Sequence, residues 1–474
     1  MSVFSKLNHI FHPESVAIVG ASEEVGSMGA MFLKPFLTQG FKGSVYLVHR
    51  NKTEVMGMKC YPSLRDIPGE IDYVIIAISA SNTPELMKEC VEKKVKVCTF
   101  FTAGFSESGT EEGIALENEI LEIACANGVR IVGPNSMGIY SPATGLYLSS
   151  GLSSRSGSLG IICQSGGNAI YLSRVSEMRG AAVSKAVSYG NACDISESDL
   201  LEYFAEDAET KVIIAYIEGV KDGKRFYSAL KKAAGVKPVI ILKGGKTEIG
   251  AKTAASHTGA LSGSANAWTA MIRQAGAIQA DTLDELIDMA VAFTHIPPLR
   301  QRRVSIMGVG GGVSVLAADS LLNANLLLPP LPDEVKEKLQ QKINNPGYIY
   351  TNPIDTLDLF KGMDEVRNTV EALSEWDEID ILIPHMAYDI MGIDPEIWID
   401  SGLTKSIVNV LVDCIKKTDK PMAIVLHYVA LAKTYQAFSE ELRICCEAGI
   451  AVFLSMDAAG KALDKFIEYY ENIG

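Results

Sequence analysis

Short runs of β-branched and other apolar residues recur along the chain, and each ends at a glycine or at a polar turn. The first run is Ser15–Gly20, and segments long enough to form a helix separate it from the runs that follow. Continuous apolar runs are typical of parallel strands that helices cover on both faces. The pattern therefore predicts an α/β protein built on parallel sheets.

The runs fall into three blocks. Those of the first block, residues 1–148, predict a Rossmann-like doubly wound sheet, and they lie at 15–20, 43–48, 71–78, 95–101 and 129–132. A Ser/Gly-rich stretch at 149–157 predicts the first boundary. The second block, 149–298, has runs at 159–163, 212–217 and 238–242; the third, 299–474, has runs at 304–307, 379–384, 422–426 and 451–454. Three α/β domains therefore account for the 474 residues, at the usual size of roughly 150 residues per domain.

Composition limits the partners of the chain. Lys and Arg number 43 and Asp and Glu number 57, so the formal net charge is −14, which argues against a nucleic-acid-binding surface. We expect no membrane contact, because no run of about 18 apolar residues predicts a spanning helix and the N-terminus lacks a signal-peptide core. The nine cysteines contain no C-x-x-C pair, which indicates free thiols in the cytoplasm and no metal site.

Two glycine-rich turns follow predicted strands, and backbone N–H groups at such turns can bind an anion together with the positive end of a helix. The first turn, Gly20-Ala21-Ser22 with Gly26, indicates either nucleotide binding or only a tight change of direction. The second, Ser165-Gly166-Gly167, suits inorganic phosphate or a phosphoryl group, although an ordinary turn can have the same composition.

A histidine stands in a third turn. His257 lies between Ser256 and Thr258, ahead of several small residues, and the pattern predicts the start of a helix, where the dipole disfavours a cationic imidazole. A neutral imidazole beside an anion-binding helix end can accept a phosphoryl group. A buried histidine that only makes hydrogen bonds is the other interpretation. The other six histidines are predicted to precede strands, to end them or, for His295, to lie in a linker.

These residues resemble a known family over essentially the full length. The motifs that carry the resemblance are Ser-Val-Ala-Ile-Val-Gly-Ala-Ser (15–22), Thr-Ala-Gly-Phe-Ser-Glu (102–107), Gly-Pro-Asn-Ser (133–136), Gln-Ser-Gly (164–166), Tyr-Ile-Glu-Gly (216–219), Ser-His-Thr-Gly-Ala-Leu (256–261) and Asn-Pro-Ile-Asp (352–355). The chain is similar to the α subunits of ADP-forming acyl-CoA (acetyl-CoA) synthetases, relatives of the succinyl-CoA synthetase α subunit. The resemblance implies a CoA-binding Rossmann-like domain followed by two flavodoxin-like domains.

The resemblance also implies a reaction, acyl-CoA + ADP + phosphate ⇌ carboxylate + CoA + ATP. In this family phosphate attacks the thioester, the resulting acyl phosphate phosphorylates the histidine that matches His257, and the phosphohistidine passes the group to ADP. Glu218 matches the carboxylate that orients the imidazole, although a surface carboxylate at a strand end is the plain alternative. Ser165, Gly166 and Gly167 would hold the phosphate.

The CoA contacts implied by the family are the residues Gly20, Ala21, Ser22, Gly26, Arg50, Asn135 and Ser136. The chain departs from the family pattern near some of them. Ser27 stands where many relatives have lysine, and His49-Arg50-Asn51 stands where they have Asn-Pro-Lys, so recognition of the CoA nucleotide is expected to move to Arg50 or Lys52. Ser136 stands where the family commonly has cysteine, so the pocket for the thiol end is expected to differ as well.

No segment of the sequence indicates an ATP-grasp domain, so ATP or ADP with Mg²⁺ is expected on a separate β subunit, in an αβ or α2β2 assembly. The carboxylate substrate and CoA complete the expected partners. One alternative is a non-catalytic protein that binds CoA or acyl-CoA on the same fold. A nicotinamide-dependent oxidoreductase is disfavoured, because it would need an acidic residue near His49 and Arg50 to bind the ribose.

Overall fold

In the part of the chain that the structure describes, three mainly parallel β-sheets of seven, six and five strands form the framework. The computed structural model describes residues 2–250, 252, 264–342, 350–355, 362–388, 395–427, 429 and 431–473. The chain divides into two compact units, one of Met1–Glu177 with Ala182–Leu286 and one of Met178–Ala181 with Ile287–Gly474. The first two sheets belong to the first unit and the third sheet to the second. The predicted α/β class with parallel sheets is confirmed.

The first sheet has its core strand at the predicted position. Its strands are β1 (Ser15–Val19), β2 (Ser44–Val48), β3 (Glu54–Val55), β4 (Met58–Tyr61), β5 (Tyr73–Ile76), β6 (Val97–Phe100) and β7 (Arg130–Val132). The order is β3-β4-β2-β1-β5-β6-β7. Val16 pairs in parallel with Val45 on one side and with Tyr73 on the other. The direction of winding therefore reverses at β1, and parallel sheets bind ligands at such a point.

The second sheet contains three strands that the sequence pattern did not predict, which are β8, β10 and β13. Its strands are β8 (Gly138–Tyr140), β9 (Leu159–Cys163), β10 (Val183–Ser188), β11 (Val212–Ile217), β12 (Val239–Lys243) and β13 (Ile278–Ala280), in the order β13-β12-β11-β9-β10-β8. β10 carries Ser184 and Lys185, which hide its apolar pattern. Both are buried, and their side chains bond to Thr210 and to Asp207, so burial leaves these polar groups satisfied.

The antiparallel partner of β10 is β8, whose residues 138–140 come from the block predicted to end at 148. The second sheet thus takes its edge strand from the first block. The boundaries 1–148, 149–298 and 299–474 stay predictions.

The third sheet is wholly parallel. Its strands are β14 (Val304–Gly308), β15 (Ile354–Asp355), β16 (Ile381–Met386), β17 (Ala423–Leu426) and β18 (Ala451–Phe453), in the order β15-β14-β16-β17-β18. The helix predicted at 331–341 is found at Asp333–Lys342. His295, predicted to lie in a linker, is the last residue of a helix, because the apolar spacing of the preceding residues continues to it.

Helices connect the strands and cover the sheets. Those of the first unit are α1 (Val3–Leu7), α2 (Met28–Thr38), α3 (Thr83–Glu92), α4 (Glu111–Asn127), α5 (Gly166–Met178), α6 (Glu197–Glu206), α7 (Gly223–Ala234) and α8 (Ala265–Gln274). Next come α9 (Leu283–His295), α10 (Gly311–Asn323), α11 (Asp333–Lys342), α12 (Met363–Ser374), α13 (Pro395–Asp400), α14 (Leu403–Ile415), α15 (Ala432–Glu447) and α16 (Met456–Asn472). Among the described residues, no helix combines the length and apolarity needed to cross a membrane.

Candidate functional site

A cleft of about 390 Å³ opens at the carboxyl ends of β1, β2 and β5. Gly20 follows β1, His49 and Arg50 follow β2, and Ile78 follows β5, and all four line the cleft. This edge is where the winding of the first sheet reverses, so its position agrees with a nucleotide-binding crevice. Of the predicted CoA contacts, Gly20 and Arg50 are thus brought together.

The turn after β1 depends on glycine. Gly20 has a φ of +89°, and a Cβ there would lie 2.3 Å from the carbonyl oxygen of Ala77, so no other residue fits without moving backbone. The N–H groups of Gly20 and Ala21 both donate to the carbonyl of Val48, at 3.0 and 3.4 Å. These two N–H groups already make hydrogen bonds at the sheet edge, so they are not available to a ligand. What the turn provides is room for a ligand to approach the backbone closely.

Further along the same loop, Gly26 has a φ of +88° with open space around it, and Ser27 caps helix α2 by accepting from the N–H of Ala30 at 3.3 Å. Ser27 thus performs a structural task where many relatives are expected to have lysine. The Oγ of Ser22 accepts from the N–H of Glu24 at 3.2 Å.

Charged side chains of both signs surround the cleft. Arg50 is exposed, and Nδ1 of His49 accepts from the N–H of Asn51 at 3.1 Å, which leaves Nε2 to carry the proton of the neutral ring. Glu85 and Glu89 also line the cleft, and both pair with Arg65, at 3.2 and 3.3 Å. Arg65 therefore offsets the carboxylates that would otherwise repel a phosphate.

Asn135 and Ser136 lie in the loop between β7 and β8. The N–H of Asn135 donates to the carbonyl of Thr102 at 3.0 Å. Ser136 is buried, and its hydroxyl donates to the carbonyl of Val132 at 3.1 Å. This loop adjoins the predicted phosphate turn, because Met137 contacts the space beside Gly166. Asn135 and Ser136 directly precede Met137, the residue that packs beside Gly166.

The phosphate turn joins β9 to helix α5. A Cβ on Gly166 would lie 2.5 Å from Cγ of Met137, whereas Gly167 is exposed and has open space around it. The Oγ of Ser165 accepts from the N–H of Asn168 at 3.4 Å. The first amides of a helix have no partner within the helix, so the N–H groups of Gly166 and Gly167 are available to an anion here.

Gln164 links this turn to Glu218. Its Oε1 accepts from the N–H groups of Glu218 and Gly219, at 2.7 and 3.2 Å, and Gln164 itself is buried. β9 and β11 are neighbours in the sheet, so their carboxyl ends meet at one edge. The carboxylate of Glu218 and the phosphate turn therefore lie on the same edge of the second sheet.

The third neighbouring strand, β12, ends at the same edge with Lys243. This lysine is buried, and its Nζ donates to the carbonyl of Glu218 at 2.7 Å and to that of Gly244. Burial lowers the pKa of Lys243, while the charge of Glu218 opposes that shift. Lys243 was not among the site residues predicted from the sequence, although its position at the end of the apolar run 238–242 was a signal of its burial.

A tyrosine completes the described part of the site. A Cβ on Gly244 would lie 2.7 Å from the hydroxyl of Tyr216 and 3.2 Å from Cγ of Glu218. Burial and the negative charge of Glu218 raise the pKa of Tyr216, so this hydroxyl stays protonated. His257 lies outside the described residues. Within those residues, no group of three or more His, Cys, Asp or Glu side chains could hold a metal ion.

Comparisons with known proteins identify the family and two of its domains. Residues 14–142 match a family model described as a CoA binding domain, and residues 156–293 match one described as a succinyl-CoA ligase like flavodoxin domain. The α subunit of acetate–CoA ligase [ADP-forming] II from Pyrococcus furiosus is 40% identical over 379 residues, which are 80% of this chain and 81% of that subunit. The chain belongs to the family of ADP-forming acetate–CoA ligase α subunits.

Other members of the family differ in length. An acetate–CoA ligase [ADP-forming] from Methanocaldococcus jannaschii is 39% identical over 74% of this chain, but the match covers only 49% of that protein. A solved acetyl-coenzyme A synthetase 1 of Ca. Korarchaeum cryptofilum, in complex with phosphate and ADP, has 27% identity and a TM-score of 0.81, and the match covers 98% of this chain and 97% of that one. The predicted family is thus confirmed, while the roles of individual site residues stay predictions.

Proposed function

We propose that this chain is the catalytic α subunit of an ADP-forming acyl-CoA synthetase, which interconverts acyl-CoA, ADP and phosphate with carboxylate, CoA and ATP. Because the chain belongs to this family, one structural observation is the main support for the proposal. Glu218, the Ser165–Gly167 turn and the strand that leads toward His257 all end at one edge of the second sheet. Relatives named as ligases do not favour the non-catalytic alternative.

The first sheet is assigned to CoA. We place the CoA nucleotide in the cleft at the ends of β1, β2 and β5, where Gly20 permits close approach and Arg50 supplies an exposed positive charge. The Arg65 network around Glu85 and Glu89 reduces repulsion of the CoA phosphates. Gly20, Ala21, Ser22, Gly26, Arg50, Asn135 and Ser136 remain the proposed contacts, with Arg50 and Gly20 the two that line the cleft.

The second sheet is assigned to the phosphoryl group. Amides of Gly166 and Gly167 at the start of α5, with the hydroxyl of Ser165, hold phosphate, because the positive end of a helix favours an anion. Phosphate oxygen attacks the thioester carbonyl, CoA leaves as the thiol, and an acyl phosphate forms. A ring nitrogen of His257 then attacks phosphorus and the carboxylate leaves. Glu218 accepts a hydrogen bond from the N–H of the other ring nitrogen, which holds the proton there and keeps the attacking nitrogen unprotonated.

ATP formation requires a second polypeptide in this proposal. The partner is an ATP-grasp subunit that binds ADP with Mg²⁺, in an αβ or α2β2 assembly, and the phosphohistidine passes its phosphoryl group to ADP there. One relative is named as an α subunit, and another is a single chain about twice as long as the matching part. A cytoplasmic location suits nine free cysteines.

The test follows the phosphoryl group. Acetyl-CoA and labelled phosphate are incubated with the chain, and we expect an acid-labile, base-stable label that is absent from His257→Ala. Glu218→Gln should retain the fold but lower the labelling rate by roughly 10²–10⁴, the usual range for loss of acid–base assistance. Labelled ATP should form from added ADP only with an ATP-grasp subunit.

Two controls separate the proposal from its alternatives. Isothermal titration should show that His257→Ala and Glu218→Gln bind CoA as the wild-type chain does, since this proposal assigns both residues to the phosphoryl group and not to CoA. Full labelling of His257→Ala would exclude His257 as the acceptor. A chain that binds CoA but never becomes labelled, with or without the partner, would favour the binding protein instead.

A further inference from the structure

Lys243 is a buried cation that the mechanism above does not use. It is the last residue of β12, and it is 4% exposed. A buried ammonium is costly unless hydrogen bonds compensate the lost solvation. A Met side chain of similar length would fill the same space without that cost. The role of this buried charge is therefore to be inferred from the groups that Lys243 contacts.

Its three contacts join three separate elements. Nζ donates to the carbonyl of Glu218 at the end of β11 and to the carbonyl of Gly244 in the turn after β12. Nζ also lies 5.2 Å from the ring centroid of Trp268, in the first half of α8, within the range of a cation–π interaction. His257 lies between Gly244 and Trp268 in the sequence, so Lys243 holds both flanks of the segment that carries it.

The backbone of Glu218 is held from both sides. Its N–H donates to Oε1 of Gln164 at 2.7 Å, and its carbonyl accepts from Nζ of Lys243 at 2.7 Å. Fixing both peptide groups that flank the Cα fixes the direction in which the side chain leaves the backbone. The charge of Lys243 also attracts that of Glu218, whereas the nearby Lys246 is paired with Asp281 at 2.6 Å.

We propose that Lys243 is a positioning residue for phosphoryl transfer, which fixes Glu218 and the two flanks of the His257 segment relative to one another. This inference rests on the proposed function. Lys243 does not contact the reacting atoms in this assignment. Its effect passes through Glu218 and through the anchor points at Gly244 and Trp268.

A matched pair of variants tests the proposal. Lys237 lies just before the amino end of β12, and its Nζ also donates to two backbone carbonyls, those of Phe204 and Asp207, at 2.6 and 2.5 Å. K243M and K237M thus remove the same type of interaction at opposite ends of one strand. We expect K243M to lower the rate of labelling from acetyl-CoA and labelled phosphate about 10–100-fold, with the KM for acetyl-CoA unchanged, and K237M to retain the rate.

A double-mutant cycle excludes a purely structural effect. If Lys243 acts through Glu218, then adding K243M to Glu218→Gln should lower the remaining rate by less than about threefold, because groups that act as a unit are not additive. Effects that multiply in full would overturn the action of Lys243 through Glu218, and a wild-type rate in K243M would overturn the whole proposal. K243Q serves the same comparisons if K243M does not fold.

Hydrogen exchange separates this inference from the proposed function. Peptides that cover 217–222 and 264–274 should exchange faster in K243M than in the wild-type chain, and those of K237M should not. Unchanged hydrogen exchange of these peptides in K243M would overturn the proposal that Lys243 links Glu218 to the two flanks, whatever the labelling assay shows. A wild-type chain that is never labelled refutes the proposed function, while faster exchange in K243M would still support the linkage at Lys243.

Discussion

The third sheet contains a histidine whose burial should make its unit acid-sensitive. His385, in β16, is 4% exposed, and within the described part of the chain neither of its ring nitrogens has a hydrogen-bond partner. Gly308 makes room for the ring, since a Cβ there would lie 2.2 Å from Nε2. The ring of His427 lies 5.5 Å away between centroids. Burial, with the charge of His427 as a smaller cause, lowers the pKa of His385 to about 4.

The sign and size of the effect follow from linkage. Above pH 6.5 the ring is neutral whether the unit is folded or unfolded, so His385 adds no pH dependence there. As the pH falls below 6.5, the unfolded chain binds a proton that the folded chain does not, and stability decreases until about pH 4, where the folded form is protonated too. Between about pH 7.5 and about pH 5 the expected loss is about 2 kcal/mol. Burial also lowers the pKa of His427, which adds to the loss.

The assay compares the wild-type chain with His385→Leu, a non-titrating residue of similar volume. Trp376 and Trp398 lie in the same unit as His385, so their fluorescence in a Trp268→Phe background follows its unfolding in urea. The free energy of unfolding, extrapolated to water at both pH values, should fall by about 2 kcal/mol less in His385→Leu than in the wild-type chain. Equal losses in the two chains would refute the reasoning, because the pH dependence would then arise elsewhere.

Two glycine pairs give matched tests of the candidate sites. Gly166→Ala should lower thermal stability and the labelling rate, since its Cβ would lie 2.5 Å from Met137, with overpacking costing about 1–3 kcal/mol. Gly167→Ala, in open space, should leave both unchanged, and equal effects would contradict this packing argument. Gly20→Ala and Gly26→Ala share the strain of a positive φ, about 1–2 kcal/mol, but only the first adds a backbone clash. Both glycines are proposed CoA contacts, but calorimetric titration should show a larger loss of CoA affinity in Gly20→Ala than in Gly26→Ala.

Local sequence determined most of the framework. The runs at 159–163 and 212–217 are strands with those bounds, because continuous β-branched residues suit a strand buried on both faces. Residues 184 and 185 concealed β10, since whether a buried serine or lysine is satisfied depends on partners more than 20 positions away. No local pattern contains that information.

In the candidate site, too, the sequence predicted some features and the tertiary structure decided others. The residues themselves predicted an anion at the Ser165–Gly167 turn, and the resemblance supplied Glu218 and its role. Only the strand order β12-β11-β9 determined that their ends meet at one edge of the sheet. That order also placed Lys243 beside Glu218 and removed it from solvent. A lysine in a sequence is by default a solvated charge, and it becomes a buried hydrogen-bond donor only when distant segments close around it.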